Sequence, residues 1–180
     1  MFHNLDIYYF INNLNLNEVK NLDSNINIIY RNYHDKNLDN SIFNLSKICK
    51  RYNKKLFLSN NLKLALKLNL TGLYIPSFNK NLNFKNIKKK NFKIIGSAHN
   101  ISEIKIKEKQ GCSEIFVSPL FFNPNYKKYL GTTKFNLLKN TTSTNLVALG
   151  GINESNYKKL KMLKITGFAG ISWIKKNWPK

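Results

Sequence analysis

Eight short apolar runs punctuate the chain, at 7–11, 26–30, 55–58, 73–75, 92–95, 114–117, 146–149 and 168–171. They are rich in β-branched and aromatic residues and apolar on both faces, the pattern of strands covered on two sides. Most are separated by segments with a helical period. Residues 41–52 set Ile42, Phe43, Leu45, Ile48 and Cys49 on one stripe, with Asp39 or Ser41 as N-cap. Residues 62–70 form a shorter segment of the same kind, and 101–111 ends on Gly111 as a C-cap. Residues 153–163 open with Asn153 as cap and Glu154 in the first turn, and place Tyr157, Leu160 and Leu163 on one face. The stretch 79–91, with Lys88-Lys89-Lys90, has little apolar periodicity and predicts a stunted helix after the fourth strand. An open doubly wound sheet gives the same alternation. Eight runs, however, is the number a closed barrel requires, so the expected fold is α/β, a compact single-domain (β/α)8 TIM barrel over residues 1–180.

The last two runs stop at small residues. Leu146-Val147-Ala148-Leu149 gives way to Gly150-Gly151, and Gly167-Phe168-Ala169-Gly170 gives way to Ile171-Ser172. Alone, a Gly-Gly pair is a tight turn that closes a strand. Two such turns side by side, each leading into a helix N-terminus, make a phosphate site, because glycine lets the backbone approach an anion and free N–H groups point at it. The loops after strands seven and eight are the recurrent phosphate position of such barrels.

Length and charge refine this picture. The chain of 180 residues is short for a barrel, about 250 being typical, so loops and helices must be trimmed. Thirty Lys and Arg against nine Asp and Glu give a formal charge of +21, a field that attracts polyanions. Lys, Asn and Ile are nevertheless spread along the whole chain, and no aromatic-interleaved basic motif or recognition helix accompanies the charge. Specific nucleic-acid binding is therefore not expected. Cys49 and Cys112 lie far apart without CxxC spacing or a nearby His, as core thiols of a reducing compartment do. The apolar run near the N-terminus is too short for a signal peptide, and nothing later reaches a membrane-spanning length. A soluble, cytoplasmic protein is expected.

If the chain closes into a barrel, chemistry belongs at the C-terminal strand ends. Strand two ends in Tyr30-Arg31-Asn32-Tyr33-His34, strand three in Ser59-Asn60-Asn61, strand four in Tyr74-Ile75-Pro76-Ser77 and strand five in Ser97-Ala98-His99-Asn100. Strand six is followed by Ser118-Pro119 and then by Phe121-Phe122-Asn123-Pro124-Asn125-Tyr126-Lys127-Lys128. This rim is cationic, amide-rich and aromatic, with hardly a carboxylate. It suits a phosphorylated, flat heteroaromatic ligand: Arg31 and Lys127 for the anion, Ser59, Ser97 and the amides for ring nitrogens, aromatics for stacking. His99 reads as a helix-start residue, His34 as a solvated loop residue beside Asp35, and His3 as part of the N-terminal tail.

Taken in order, Tyr30-Arg31, Ser59 to Ala65, Gly96-Ser97-Ala98-His99, Ser118-Pro119-Leu120-Phe121, Leu130-Gly131, Ala148 to Ile152 and Gly167 to Ser172 resemble thiamine-phosphate synthase and its thiazole tautomerase relatives. The resemblance implies a (β/α)8 barrel that joins hydroxymethylpyrimidine diphosphate to thiazole phosphate and releases pyrophosphate with Mg²⁺ assistance. It implies that Gly150, Gly151, Ile171 and Ser172 hold the thiazole phosphate and that Asn123 and Asn125 touch the same substrate. It assigns Arg31 and Lys127 to the diphosphate, Ser97 to the pyrimidine side, and Tyr33 or Tyr74 to the path of the cation. The chain also departs from the family. The family's metal carboxylates correspond to Asn60 and Asn79, a glutamine corresponds to Ile29, and a second cation corresponds to Tyr33. Amides are poor ligands for a hard dication, so Mg²⁺ affinity should fall. The tautomerase branch carries a histidine where this chain has Ser118-Pro119. The sequence thus leaves a synthase, a non-catalytic thiazole- or thiamine-phosphate-binding barrel and a tautomerase-like protein as readings.

Overall fold

The computed structural model of the chain describes residues 5–84, 87, 89–124, 126 and 128–177. Eight parallel strands close into a barrel in sequence order, with the first paired to the last. They are β1 (Asp6–Ile11), β2 (Ile26–Tyr30), β3 (Leu56–Ser59), β4 (Gly72–Ile75), β5 (Lys93–Ala98), β6 (Glu114–Val117), β7 (Asn145–Leu149) and β8 (Gly167–Gly170). Among the described residues six α-helices accompany them: α1 (Leu16–Asn21), α2 (Leu38–Arg51), α3 (Leu62–Lys67), α4 (Ile101–Lys109), α5 (Gly131–Asn140) and α6 (Ser172–Asn177). The expected closed barrel is the observed fold, and its trimmed length shows in strands of four to six residues.

The two-residue period of the strands divides the core into two compartments. Tyr8, Phe10, Ile29, Phe57, Tyr74, Ile95, Phe116, Val147 and Ala169 point into the barrel. Their neighbours, such as Ile7, Tyr9, Ile28 and Leu146, point outward against the helices. Aromatic edges fill the interior: Tyr8 meets Phe116 at 4.8 Å between centroids and Phe10 meets Tyr74 at 5.3 Å, both T-shaped. The centre is packed, so a ligand can sit only at the mouth.

Several local expectations change. α2 begins at Leu38 with Asn37 as its N-cap, in place of Asp39 or Ser41, and buries Ile42, Leu45, Ser46 and Cys49. Phe43 is exposed, its ring covered by the Lys47 ammonium at 4.1 Å. The segment 153–163 is not an α-helix. It holds a 3-10 turn over Tyr157–Met162 with Asn156 at its N-cap, while the Asn153 Oδ1 accepts from the Ser155 amide 3.0 Å away. After β4, the described residues up to β5 contain no helix, the stunted connection the low periodicity implied. Gly111 follows α4 at φ 80, the left-handed position that ends a helix. Among the described residues no helix is long and apolar enough to cross a membrane.

Candidate functional site

At the C-terminal ends of the strands the barrel opens into a cleft of about 730 Å³. Its walls come from every part of the chain: Phe10 and Asn12 after β1, Arg31 and Tyr33 after β2, Ser97 on β5, Gly150 and Gly151 after β7, and Ile171 and Ser172 after β8. Of the residues singled out from sequence, Arg31, Tyr33, Ser97, Asn123, Gly150, Gly151, Ile171 and Ser172 therefore share one cavity. Ser59, Asn60 and Asn79 are not among its lining residues, and Asn125 and Lys127 lie outside the described residues.

The glycine turn is held by the neighbouring loop. Gly150 and Gly151 both adopt positive φ, 91 and 73. The Leu120 amide donates to the Leu149 carbonyl at 2.8 Å, Phe121 N donates to Gly150 O at 3.1 Å, and Asn156 Nδ2 donates to Gly151 O at 2.7 Å. Three successive peptide groups thus have their acceptor ends engaged by protein. Across the cleft, α6 starts at Ser172, directly after β8, and its first turn carries N–H groups without intrahelical partners. The expected helix start after β7 is replaced by the later 3-10 turn, so of the two helix starts expected beside these turns that of α6 is the one present.

Charge in the cleft is one-sided. Arg31 stands over the Phe10 ring at 4.7 Å, and its Nε donates to Asn12 Oδ1 at 3.3 Å. No carboxylate is among the described lining residues. An anion would therefore meet a guanidinium, a helix N-terminus and glycine amides without a competing negative group. Tyr74 forms part of the floor, where burial pushes its hydroxyl up to about 12, so it stays protonated and can donate. Exposed aromatics form the rim. Tyr33 meets Phe78 edge-on at 5.5 Å, and the Ser59 hydroxyl supports Tyr33 by donating to its oxygen at 3.1 Å. His99 lines the cleft, with its Nδ1 2.9 Å from Glu103 Oε2, which also accepts from the His99 amide, so its place is at the start of α4 as expected.

The positions of the family's metal carboxylates do not form a cation site here. Asn79 Nδ2 donates to Asn60 Oδ1 at 2.5 Å and Asn79 Oδ1 accepts from the Asn81 amide at 2.9 Å, so both amide oxygens are turned to protein donors. Among the described residues no three His, Cys, Asp or Glu side chains cluster as a metal site. The residues present do not fit Mg²⁺ held by the protein.

Phe122 and Tyr126, named in the aromatic rim, line the cleft as expected, and Phe10, Asn12 and Phe78 line it without a signal read from the sequence. Phe10 and Asn12 had a signal available, since the end of strand one belongs to the same rim. Phe78 sits in a loop without periodicity, where an exposed aromatic looks like any other.

Fold and cleft together define a (β/α)8 barrel with a cationic, aromatic-rimmed cleft at its mouth. The chain belongs to the thiamine monophosphate synthase family, which it matches over residues 21–174. It is 32% identical over 150 residues to the thiamine-phosphate synthase of Prochlorococcus marinus subsp. pastoris, covering 81% of this chain and 42% of that one. It is 33% identical over 132 residues to the thiamine-phosphate synthase of Clostridium tetani, covering 71% and 62%. The chain thus spans less than two thirds of the length of either relative. Among solved structures, a thiamine phosphate pyrophosphorylase from Pyrococcus furiosus superposes with a TM-score of 0.76 over 96% of this chain and 91% of that one, at 18% identity. That likeness is one of fold.

Proposed function

We propose that this chain is a thiamine-phosphate synthase, a transferase coupling hydroxymethylpyrimidine diphosphate to thiazole phosphate. The observation that carries the reading is the convergence of the 150–151 turn, the start of α6 and Arg31 on one cleft lined by no described carboxylate. In the reaction, the bond between the pyrimidine methylene and the diphosphate oxygen breaks, and the thiazole nitrogen forms the new bond to that carbon. Thiamine phosphate and pyrophosphate are the products. Such a route needs positioning and charge stabilisation, with no covalent nucleophile. Gly150, Gly151, Ile171 and Ser172 anchor the thiazole phosphate. Arg31 holds the leaving diphosphate, a role shared with Lys127, while Tyr33, Tyr74 and Ser97 border the pyrimidine. The partners are phosphorylated heterocycles.

One observation favours a second reading, a barrel that binds these phosphates without turning them over: the hydrogen-bonded Asn60–Asn79 amide pair where the family has metal carboxylates. Purified protein incubated with both half-substrates, scored for thiamine phosphate across a magnesium series, separates the two. Product formation supports the synthase. Calorimetric binding of thiazole phosphate with no product at any magnesium concentration supports the binder, and binding of neither substrate overturns both.

A further inference from the structure

We propose that Lys107 and Gln110 are positioning residues that clamp the loop after β4 and thereby shape the pyrimidine side of the cleft. This inference rests on the synthase reading for the identity of the ligand. Lys107 belongs to α4, on the outside of the barrel, yet it and Gln110 are fully buried. A buried ammonium is costly unless its charge and its three donors are compensated. Here all three are used: Lys107 Nζ donates to the Pro76 carbonyl at 2.8 Å, the Asn79 carbonyl at 2.8 Å and Gln110 Oε1 at 2.9 Å. Gln110 Nε2 in turn donates to the Asn79 carbonyl at 2.9 Å and the Asn81 carbonyl at 2.7 Å. Four of these bonds end on backbone carbonyls between 76 and 81. The lysine stem reaches them past Gly96, where a Cβ would come within 2.9 Å of Lys107 Cδ.

The other side of this loop faces the cleft. Pro76, Ser77 and Phe78 line it, Phe78 meets Tyr33, and Asn79 bonds Asn60. Between β4 and β5 no described helix or strand holds these peptides, so the clamp supplies the partners that secondary structure would otherwise provide. Two side chains on the far side of the barrel wall thus fix the place of Phe78, and with it the edge-to-face Tyr33–Phe78 pair at the rim of the cleft.

The test uses the full chain and three variants. Lys107→Met removes the cation. Gln110→Glu keeps the volume and the acceptor for Lys107 but turns an oxygen toward the Asn79 and Asn81 carbonyls. Phe78→Ala truncates an exposed ring, 63% accessible, that the fold does not need. Gln110→Glu should speed hydrogen exchange in 76–81 relative to the strands. It should also raise the KM for hydroxymethylpyrimidine diphosphate by about tenfold, leaving thiazole phosphate affinity within about twofold. Phe78→Ala should reproduce the KM effect without the exchange effect, and Lys107→Met, where it folds, should show both. Faster exchange in 76–81 with an unchanged KM overturns the proposal, as does equal loss of both ligands, which is the mark of general destabilisation. Unaltered exchange in Gln110→Glu also overturns it. Wild-type protein that binds neither substrate overturns the synthase reading and this inference together, whereas wild-type binding with wild-type behaviour in all variants overturns this one alone.

Discussion

Gly151→Ala separates the phosphate cradle from an ordinary tight turn, and its cost can be worked from two terms. Gly151 lies at φ 73, where an L side chain costs about 1–2 kcal/mol. A Cβ there would also stand 2.3 Å from the Phe121 carbonyl oxygen and 2.6 Å from that of Phe122. To reach ordinary contact the 121–122 backbone must withdraw by roughly 1 Å. Overpacking of this kind adds about 1–3 kcal/mol. The total of about 2–5 kcal/mol corresponds to a Tm lowered by about 4–20 °C for a chain of this size. Gly131→Ala is the control. Gly131 lies at φ 69, but a Cβ there meets nothing within 4 Å, so only the backbone term of about 1–2 kcal/mol applies. Any gain from a stiffer unfolded chain enters both variants equally. Thermal unfolding of the pair measures the clash by difference, and titration with thiazole phosphate measures the cradle. Gly151→Ala should lose phosphate affinity and Gly131→Ala should keep it. If Gly151→Ala unfolds no earlier than Gly131→Ala, or binds thiazole phosphate as the wild type does, the contact between the β6–α5 loop and the glycine turn has been misread.

Arg31→Ala should weaken the diphosphate substrate by about 1.5–3 kcal/mol, roughly 10- to 150-fold, and Arg31→Lys should recover only part of that, because the charge returns without the planar fork. Calorimetry checks both, and a loss below about threefold would remove Arg31 from the site. Glu114 is a buried carboxyl bonded by the Tyr8 hydroxyl at 2.6 Å, and burial is the first cause of its raised pKa. A raised folded-state pKa means that the native state keeps this proton to higher pH than the unfolded chain does, so stability falls as pH climbs from the ordinary carboxylate range through the raised value. Glu114→Gln should therefore be more stable than wild type at pH 7, with the difference shrinking toward pH 4, as read from urea midpoints across pH. Asn60→Asp combined with Asn79→Asp replaces a hydrogen-bonded amide pair by two close carboxylates, so adding magnesium to pyrophosphate should raise the Tm of the double variant beyond the shift pyrophosphate alone gives, and should do so more than in wild type. Equal shifts in the two proteins would show that these positions are not where a metal acts.

The barrel was legible because burial on both faces leaves a mark that composition bias cannot erase: all five residues of β2 are buried, and its sequence reads Ile-Asn-Ile-Ile-Tyr. Helices were harder to read, for a related reason. α5 buries only Phe135 while Leu137 stays 61% exposed, so no stripe announces it. Caps were ambiguous because asparagine is everywhere. Asn156 takes the N-cap position of the 3-10 turn without a side-chain cap bond, its Oδ1 accepting from the Asn153 amide and its Nδ2 donating to the Gly151 carbonyl. The 150–151 turn was legible because the backbone there takes positive φ. Phe78 was not, because it sits in a loop whose shape is set by partners distant in sequence.

Lys107 carries this argument furthest. In sequence it lies between Lys105 and Lys109 on a basic helix and looks like part of a solvated face, yet it is fully buried. Lys54 follows the same design, its ammonium on the Leu22 and Asp23 carbonyls at 2.6 Å each, and Lys139 reaches the Thr142 and Thr144 carbonyls. With only nine acidic residues for thirty basic ones, most lysines have no carboxylate to pair with. The peptide carbonyls of loops and helix ends are the remaining acceptors, and a long flexible ammonium can serve two or three of them at once. Part of the +21 charge is therefore structural, spent inside the protein on short loops that lack helices of their own. The same scarcity of carboxylates leaves Arg31 at the mouth without a described acidic partner, so the amino-acid bias that stabilises the loops also keeps the cleft receptive to an anion.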